Sequence, residues 1–163
     1  MEIRFITPAD DRREISRVYE ESWKFAYKGI IPQAYLDGIP EGRWAANLNR
    51  PGWQTLVLVE DGKIVGTTSF CKSRFAQFPQ WGEIISIYFL PEYMGRGLGK
   101  ALLKAALAEL KKMGYTEVFL WVLEENRGAR GFYEAMGFTS AEDFLEDNIG
   151  GKDLREIRYT YGG

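Results

Sequence analysis

Seven residues near the middle of the chain, Met94-Gly95-Arg96-Gly97-Leu98-Gly99-Lys100, carry the clearest chemical signal in the sequence. Glycine at every second position lets the backbone approach a ligand with no Cβ in the way. If a helix begins here, its first amides have no intrahelical partner and point outward. The positive end of the helix dipole adds to them, and Arg96 and Lys100 supply full charges. Such a turn suits a phosphate or pyrophosphate. Three ligands compete for it. A Walker A loop ends in Gly-Lys-Ser/Thr, and here Ala101 follows Gly99-Lys100 where a hydroxyl should hold magnesium. A Rossmann fingerprint spaces its glycines GxGxxG, whereas this turn reads GxGxG. The third is the pyrophosphate of coenzyme A. A glycine-rich turn with no ligand is the fourth alternative.

The elements around the turn must position it. Upstream, Ile84, Ile85, Ile87, Tyr88 and Phe89 form a β-branched and aromatic run, as in a strand buried on both faces, and Pro91 ends it. Downstream, Leu98, Ala101, Leu102, Ala105, Ala106, Leu110 and Met113 recur at three and four residues with lysines and Glu109 between them, the pattern of an amphipathic helix. Gly114 caps it. A further strand, Glu117 to Leu123, leads to Asn126-Arg127-Gly128-Ala129-Arg130-Gly131-Phe132-Tyr133-Glu134-Ala135-Met136-Gly137-Phe138, a short helix stopped by Gly137.

The strand ending at Pro91, the glycine turn, the long helix and the Asn…Ala…Phe-Tyr-Glu…Gly-Phe segment, in this order, resemble the GCN5-related N-acetyltransferase (GNAT) superfamily. The resemblance is close from Gly82 to Phe138. Met94 departs from it, since the family usually has Gln or Arg there; a side-chain contact is lost while the backbone amides remain. The resemblance implies an α/β (α+β) fold: a mixed, mostly antiparallel sheet of about seven strands, the fourth and fifth parallel and splayed, flanked by helices. It implies acetyl-CoA as cofactor and N-acetyl transfer as activity. The Ile87, Tyr88 and Phe89 backbone would meet the thioester. Met94, Gly95, Arg96, Gly97, Leu98, Gly99 and Lys100 would hold the pyrophosphate, and Asn126, Ala129 and Tyr133 would contact the cofactor.

Acetyl transfer needs a neutral amine, yet an alkylammonium has a pKa of about 10.4, so a base or proton path is required. The departing thiolate needs an acid. The chain has no histidine and one cysteine, Cys71, so a Ser-His-Asp or Cys-His pair is excluded and a transition-metal site is not expected. Glu83 is the candidate base, acting through water. By strand alternation it shares a face with Ile85, Ile87 and Phe89; the competing reading is a strand-end glutamate in a salt bridge. Tyr133 is the candidate acid, against a core tyrosine with a structural hydrogen bond. Asn126 also reads as a helix cap.

In the family the acceptor pocket lies between the first two helices and the last hairpin. That implies Trp23, Tyr27 and Tyr35, with Trp53 or Phe144, although Trp23 equally suits the apolar face of its helix. Glu20, Glu21, Asp37 and Glu146 could attract a cationic amine or could be solvated surface charges. The acceptor is then a small primary amine, polyamine-like or amino-acid-like, or a peptide. The ribosomal-protein N-terminal branch has a glutamate where this chain has Trp121, which argues against that branch. The alternatives are a non-catalytic acyl-CoA-binding module and a protein N-terminal or lysine acetyltransferase.

With 163 residues the chain is expected to form one N-acetyltransferase domain over 1–163. A net charge of −2 argues against nucleic acid as partner. No apolar run approaches the length of a membrane span. A single cysteine and a charged first strand rather than a leader-like segment point to the cytoplasm. Self-association into a homodimer is compatible with this reading.

The remaining segments read in order. Residues 2–6 alternate as a strand, and Thr7-Pro8 should start a helix running to about Tyr27. Short helices are expected over 32–37 and 41–49. Strands over 54–60 and 63–72 should be joined by a tight turn at Asp61-Gly62. Residues 73–81 look like an exposed aromatic loop, and two strands over roughly 139–147 and 154–161 complete the chain.

Overall fold

The computed structural model describes residues 1–162. Seven strands form one sheet: β1 (Glu2–Phe5), β2 (Gln54–Glu60), β3 (Lys63–Lys72), β4 (Gly82–Phe89), β5 (Val118–Leu123), β6 (Thr139–Ile149) and β7 (Lys152–Tyr161). Their spatial order is β1-β2-β3-β4-β5-β7-β6. Every pairing is antiparallel except β4 with β5. The β2–β3 turn places Asp61 and Gly62 at φ of 49° and 74°, which suits the two-residue hairpin read from the sequence.

Four α-helices flank the sheet: α1 (Arg12–Ala26), α2 (Gln33–Asp37), α3 (Leu98–Lys112) and α4 (Arg127–Ala135). α1 begins later than expected. Asp11 caps it by accepting from the Arg13 amide, while Thr7 belongs to a turn whose amide donates to Asp10 at 2.8 Å. Arg4 holds that same Asp10 through two hydrogen bonds, at 2.8 and 2.9 Å, tying β1 to the start of α1. The 41–49 segment is a turn followed by a 3-10 helix, Ala45–Asn49.

α1 and α3 cover opposite faces of the central strands. On one face the Tyr19 hydroxyl bonds Ser86 at 2.9 Å and Ser69 at 3.4 Å, joining α1 to β4 and β3. On the other, Leu102, Leu103, Ala106 and Leu110 of α3 are fully buried in the main core with Phe70, Ile84 and Phe89.

Two departures bear on function. Arg74, Ala76, Gln77, Pro79 and Gln80 of the 73–81 loop are exposed as expected, but its aromatic rings are partly covered. Phe75, Phe78 and Trp81 pack on Phe119 at centroid distances of 5.9, 5.2 and 6.2 Å, because their apolar rings find the open face of β5. The second is a bulge in β4. Ser86 lies opposite Ser69 and Ile84 opposite Phe70, so Ile85 is an extra residue. Strand alternation changes phase there. Glu83 is therefore in phase with Ser86 and Tyr88, on the α1 face, and not with Ile85, Ile87 and Phe89 as strict alternation predicts.

Candidate active site

The parallel β4–β5 pairing holds only at Gly82 with Val118 and Glu83 with Phe119. Beyond these pairs the strands diverge. A cavity of about 880 Å³ fills the gap and is lined from both faces of the sheet. This volume is in the usual range for a small-molecule site.

One side of the cavity is the glycine turn. Gly95 and Gly97 have φ of 76° and 77°, a region that L side chains rarely adopt. A Cβ added to either would meet no atom within 4 Å, so the space above the turn is open. Gly97 is the N-cap of α3 and supplies no side-chain cap, which leaves the first amides of the helix free for an anion. Met94, Gly95, Gly97, Gly99 and Lys100 line the cavity, as do Ile87, Tyr88, Phe89, Asn126, Ala129 and Tyr133. Arg96 and Leu98 do not. Arg96 stacks on Tyr93 at 5.0 Å, and Leu98 turns into the core as the first residue of the helix. The turn fits a pyrophosphate through its backbone, with Lys100 as the charged side chain at the cavity.

Tyr133 is 9% exposed and packs beside Phe132, Phe138 and Tyr159. Its hydroxyl has no hydrogen-bond partner among the described residues. Burial, then the neighbouring Tyr88 phenol, push its pKa well above the ordinary value. The group therefore keeps its proton at neutral pH. Asn126 caps α4, accepting from the Ala129 amide at 3.2 Å, and borders the cavity from that position. Its capping and lining positions coincide.

On the α1 side lie Trp23, Tyr27, Arg74, Phe75, Trp121, Leu145, Ile149 and Glu156. Trp23 and Tyr27 meet edge to face at 4.9 Å. Burial lifts Tyr27 to about 12. Tyr35 does not join them. α2 is short and turns Leu36 into the protein, leaving Tyr35 36% exposed against the Gly150 turn. Trp53 and Phe144 also lie outside the lining. They carry Arg74 and Arg155 over their rings, at 5.7 and 3.9 Å. Glu20 is structural: buried, it accepts from Ser16 at 2.5 Å and from the Gly42 amide at 3.0 Å.

Glu83 borders the cavity but is already engaged. Its carboxylate is 1% exposed and accepts from the Arg74 guanidinium at 2.6 and 3.2 Å and from the Arg74 amide at 3.0 Å. The salt-bridge alternative is thus the arrangement the structure has. Cys71 faces Glu83 across the β3–β4 pair, and burial, helped by that charge, pushes its thiol up to about 11. It stays a protonated thiol and a poor nucleophile. A direct transfer between two bound substrates suits this site better than an acyl-cysteine step.

Sequence reasoning missed Arg74, Trp121 and Glu156. Arg74 lies in the exposed 73–81 loop, where a cation carries no signal of its own. Glu156 sits opposite Leu123 of β5 and Leu145 of β6, both of which line the cavity. A charged residue in register with inward-facing apolar neighbours was the available signal. Among the described residues no group of His, Cys, Asp and Glu side chains could hold a metal, and no helix is long and apolar enough to cross a membrane.

A splayed parallel strand pair, a glycine turn at a helix N-terminus and a cavity that runs through the sheet thus meet at one place. The sequence profile of the acetyltransferase (GNAT) family matches residues 15–138. The chain belongs to that family, and its acyl donor is acetyl-CoA. It is 32% identical over 152 residues to the uncharacterized N-acetyltransferase YuaI of Bacillus subtilis, covering 91% of this chain and 86% of that one. It is 27% identical over 163 residues to a spermidine N(1)-acetyltransferase of Thermoplasma acidophilum, covering 98% of each chain. The crystal structure of the PaiA N-acetyltransferase of Thermoplasma acidophilum, in complex with coenzyme A, superimposes with a TM-score of 0.74 over 100% of both chains at 22% identity.

Proposed function

We propose that the whole chain acts as one N-acetyltransferase domain, moving the acetyl group of acetyl-CoA to a primary amine of a small acceptor, polyamine-like or amino-acid-like. One observation carries this reading: a single cavity joins the glycine turn on one face of the sheet to an aromatic and charged pocket on the other, with the unpartnered Tyr133 hydroxyl among its walls. Acetyl-CoA supplies an activated acetyl thioester. The amides of the Gly95–Gly99 turn and Lys100 hold its pyrophosphate. Backbone of the Ile87–Phe89 segment, left without a β5 partner by the splay, faces the place where the thioester carbonyl develops charge. Tyr133 gives a proton to the departing sulfur. Trp23 and Tyr27 shape the acceptor end. Glu83 holds Arg74 in the cavity wall.

The spermidine acetyltransferase of Thermoplasma acidophilum supports the polyamine class. The absence of a glutamate at Trp121 speaks against the ribosomal-protein branch. A reducing compartment, the cytoplasm, suits the free Cys71. The deciding experiment is an acceptor screen with thiol release as readout: purified protein, acetyl-CoA, and a panel of polyamines, amino acids, aminoglycosides and peptides. Acetylation of small amines above peptides is expected. Peptide acetylation alone refutes the small-acceptor reading, and coenzyme A binding without turnover of any amine refutes catalysis.

A further inference from the structure

The acceptor half of the cavity has two carboxylates, and they differ in what surrounds them. Glu83 is saturated by Arg74. Glu156, from β7, borders the same cavity and has neither a hydrogen bond nor an ion pair among the described residues. Its neighbours on β5 and β6 are Leu123 and Leu145, both apolar. The charges that reach it are Asp147 on β6, Arg74 in the 73–81 loop and the Tyr27 phenol at the end of α1. Burial, then Asp147, raise its pKa, and Arg74 opposes them. Arg74 is bonded to Glu83, and among the described residues no cation lies within ion-pair distance of Glu156. A half-buried carboxylate with no partner is unfavourable to folding, and a site retains such a group most readily when a ligand completes it.

We propose that Glu156 is the carboxylate that receives the incoming acceptor's ammonium group and takes from it the proton that must leave before nitrogen can attack. This rests on the acetyltransferase reading above and names how the acceptor is held. The ammonium N–H bond breaks, the proton moves to a Glu156 oxygen and the electron pair stays on nitrogen. The C–N bond then forms while the C–S bond of the acetyl thioester breaks. Tyr133 protonates the sulfur and regains a proton from the second N–H lost by the amine. Glu156 returns its proton to solvent, so one proton is released per amide formed. A glutamate polarised towards the protonated state is suited to both steps, since it attracts the cation and is a stronger base than an exposed carboxylate.

The test is calorimetric binding of spermidine and of n-butylamine to the coenzyme A-bound protein, for wild type, Glu156→Gln and Glu156→Asp, together with the pH profile of kcat/KM. Glutamine should weaken binding of both amines by about 10-fold or more, aspartate should restore part of it, and coenzyme A affinity should stay within about twofold. The melting temperature of Glu156→Gln should not fall, because no protein contact is lost. Should that variant fail to fold, wild-type spermidine affinity between pH 5 and 8 decides: binding should tighten as the carboxylate ionises, in a chain with no histidine to titrate in that range. Unchanged amine binding in Glu156→Gln, pH-independent wild-type binding, or no wild-type binding of either amine overturns the proposal. Wild-type protein that binds amines through Glu156 but releases no thiol upholds the ammonium site and refutes acetyl transfer instead.

Discussion

Replacing Tyr133 by phenylalanine separates chemistry from packing, because the structure gives its ring many neighbours and its hydroxyl no hydrogen-bond partner among the described residues. Removing the oxygen leaves the contacts with Phe132, Phe138 and Tyr159 in place. No hydrogen bond is broken, so the stability change should stay within about 0.5 kcal/mol, a shift of about 1–2 °C in Tm for a chain of this size. The chemical loss should be far larger. A donor to the departing sulfur is worth about 10²- to 10⁴-fold, and water entering the widened site can replace part of it, so kcat should fall about 10- to 1000-fold. The same aromatic cluster contains an internal control. The Tyr159 hydroxyl accepts from Arg130 at 2.9 Å and donates to Glu134 at 2.7 Å. Tyr159→Phe should therefore lower stability by about 1–2 kcal/mol, or about 2–8 °C, with kcat per folded molecule retained. Steady-state kinetics with a saturating amine, thermal unfolding and coenzyme A titration on both variants complete the comparison. If Tyr133→Phe melts several degrees early while turning over normally, the phenol is a core residue and the proton comes from elsewhere.

Three further outcomes are expected. Gly97→Val should abolish the thermal shift produced by coenzyme A, since φ of 77° is hostile to a β-branched residue and a side chain would enter the open space above the turn; a normal shift would remove the turn from the binding site. Glu83→Gln should lower stability by about 2 kcal/mol by disrupting the Arg74 bonds, with loss of activity spread evenly over pH. A loss that recovers as pH rises would instead return Glu83 to the role of proton acceptor. Arg4 and the Thr7 amide hold Asp10 well below the usual carboxylate range. A depressed folded pKa stabilises above the unfolded pKa of about 3.9 and is lost as pH falls through the folded value. The Tm difference between wild type and Asp10→Asn should thus be full at pH 6 and shrink below about pH 4, and a difference independent of pH would exclude the Arg4 pair as its source.

Much of the fold was legible because its signals are local. The run from Gly82 to Gly137 announced strand, turn, helix, strand and helix through periodicity and glycine placement, and the structure places these elements where the pattern puts them. The cofactor side of the site followed, since a helix N-terminus and its glycines are contiguous in sequence. The acceptor side was less legible because long-range pairing builds it. Glu156 acquires meaning only when β7 lies between β5 and β6. Arg74 does so only when the aromatic rings of its loop fold onto Phe119. The side chain of Glu83 could not be placed by alternation, because the bulge at Ile85 depends on the register with β3. Thr7 and Asp11 are both good caps, and the Arg4–Asp10 contact, formed between strand and turn, selects the later one.

The divergence of β4 from β5 gives this sheet two edges in its interior. Exposed edges ordinarily invite pairing with another chain. Here the end of α1, the 73–81 loop and the glycine turn close around them, so they are open to a slender guest and closed to a second strand. Beyond Gly82 and Glu83, β4 keeps only β3 as a partner and β5 only β7, as an edge strand does. Backbone hydrogen exchange should be faster along the diverging halves of β4 and β5 than at Gly82–Glu83, and an extended ligand arm laid between them would slow it as an added strand does. A ligand arm lying there would supply cohesion that the polypeptide omits.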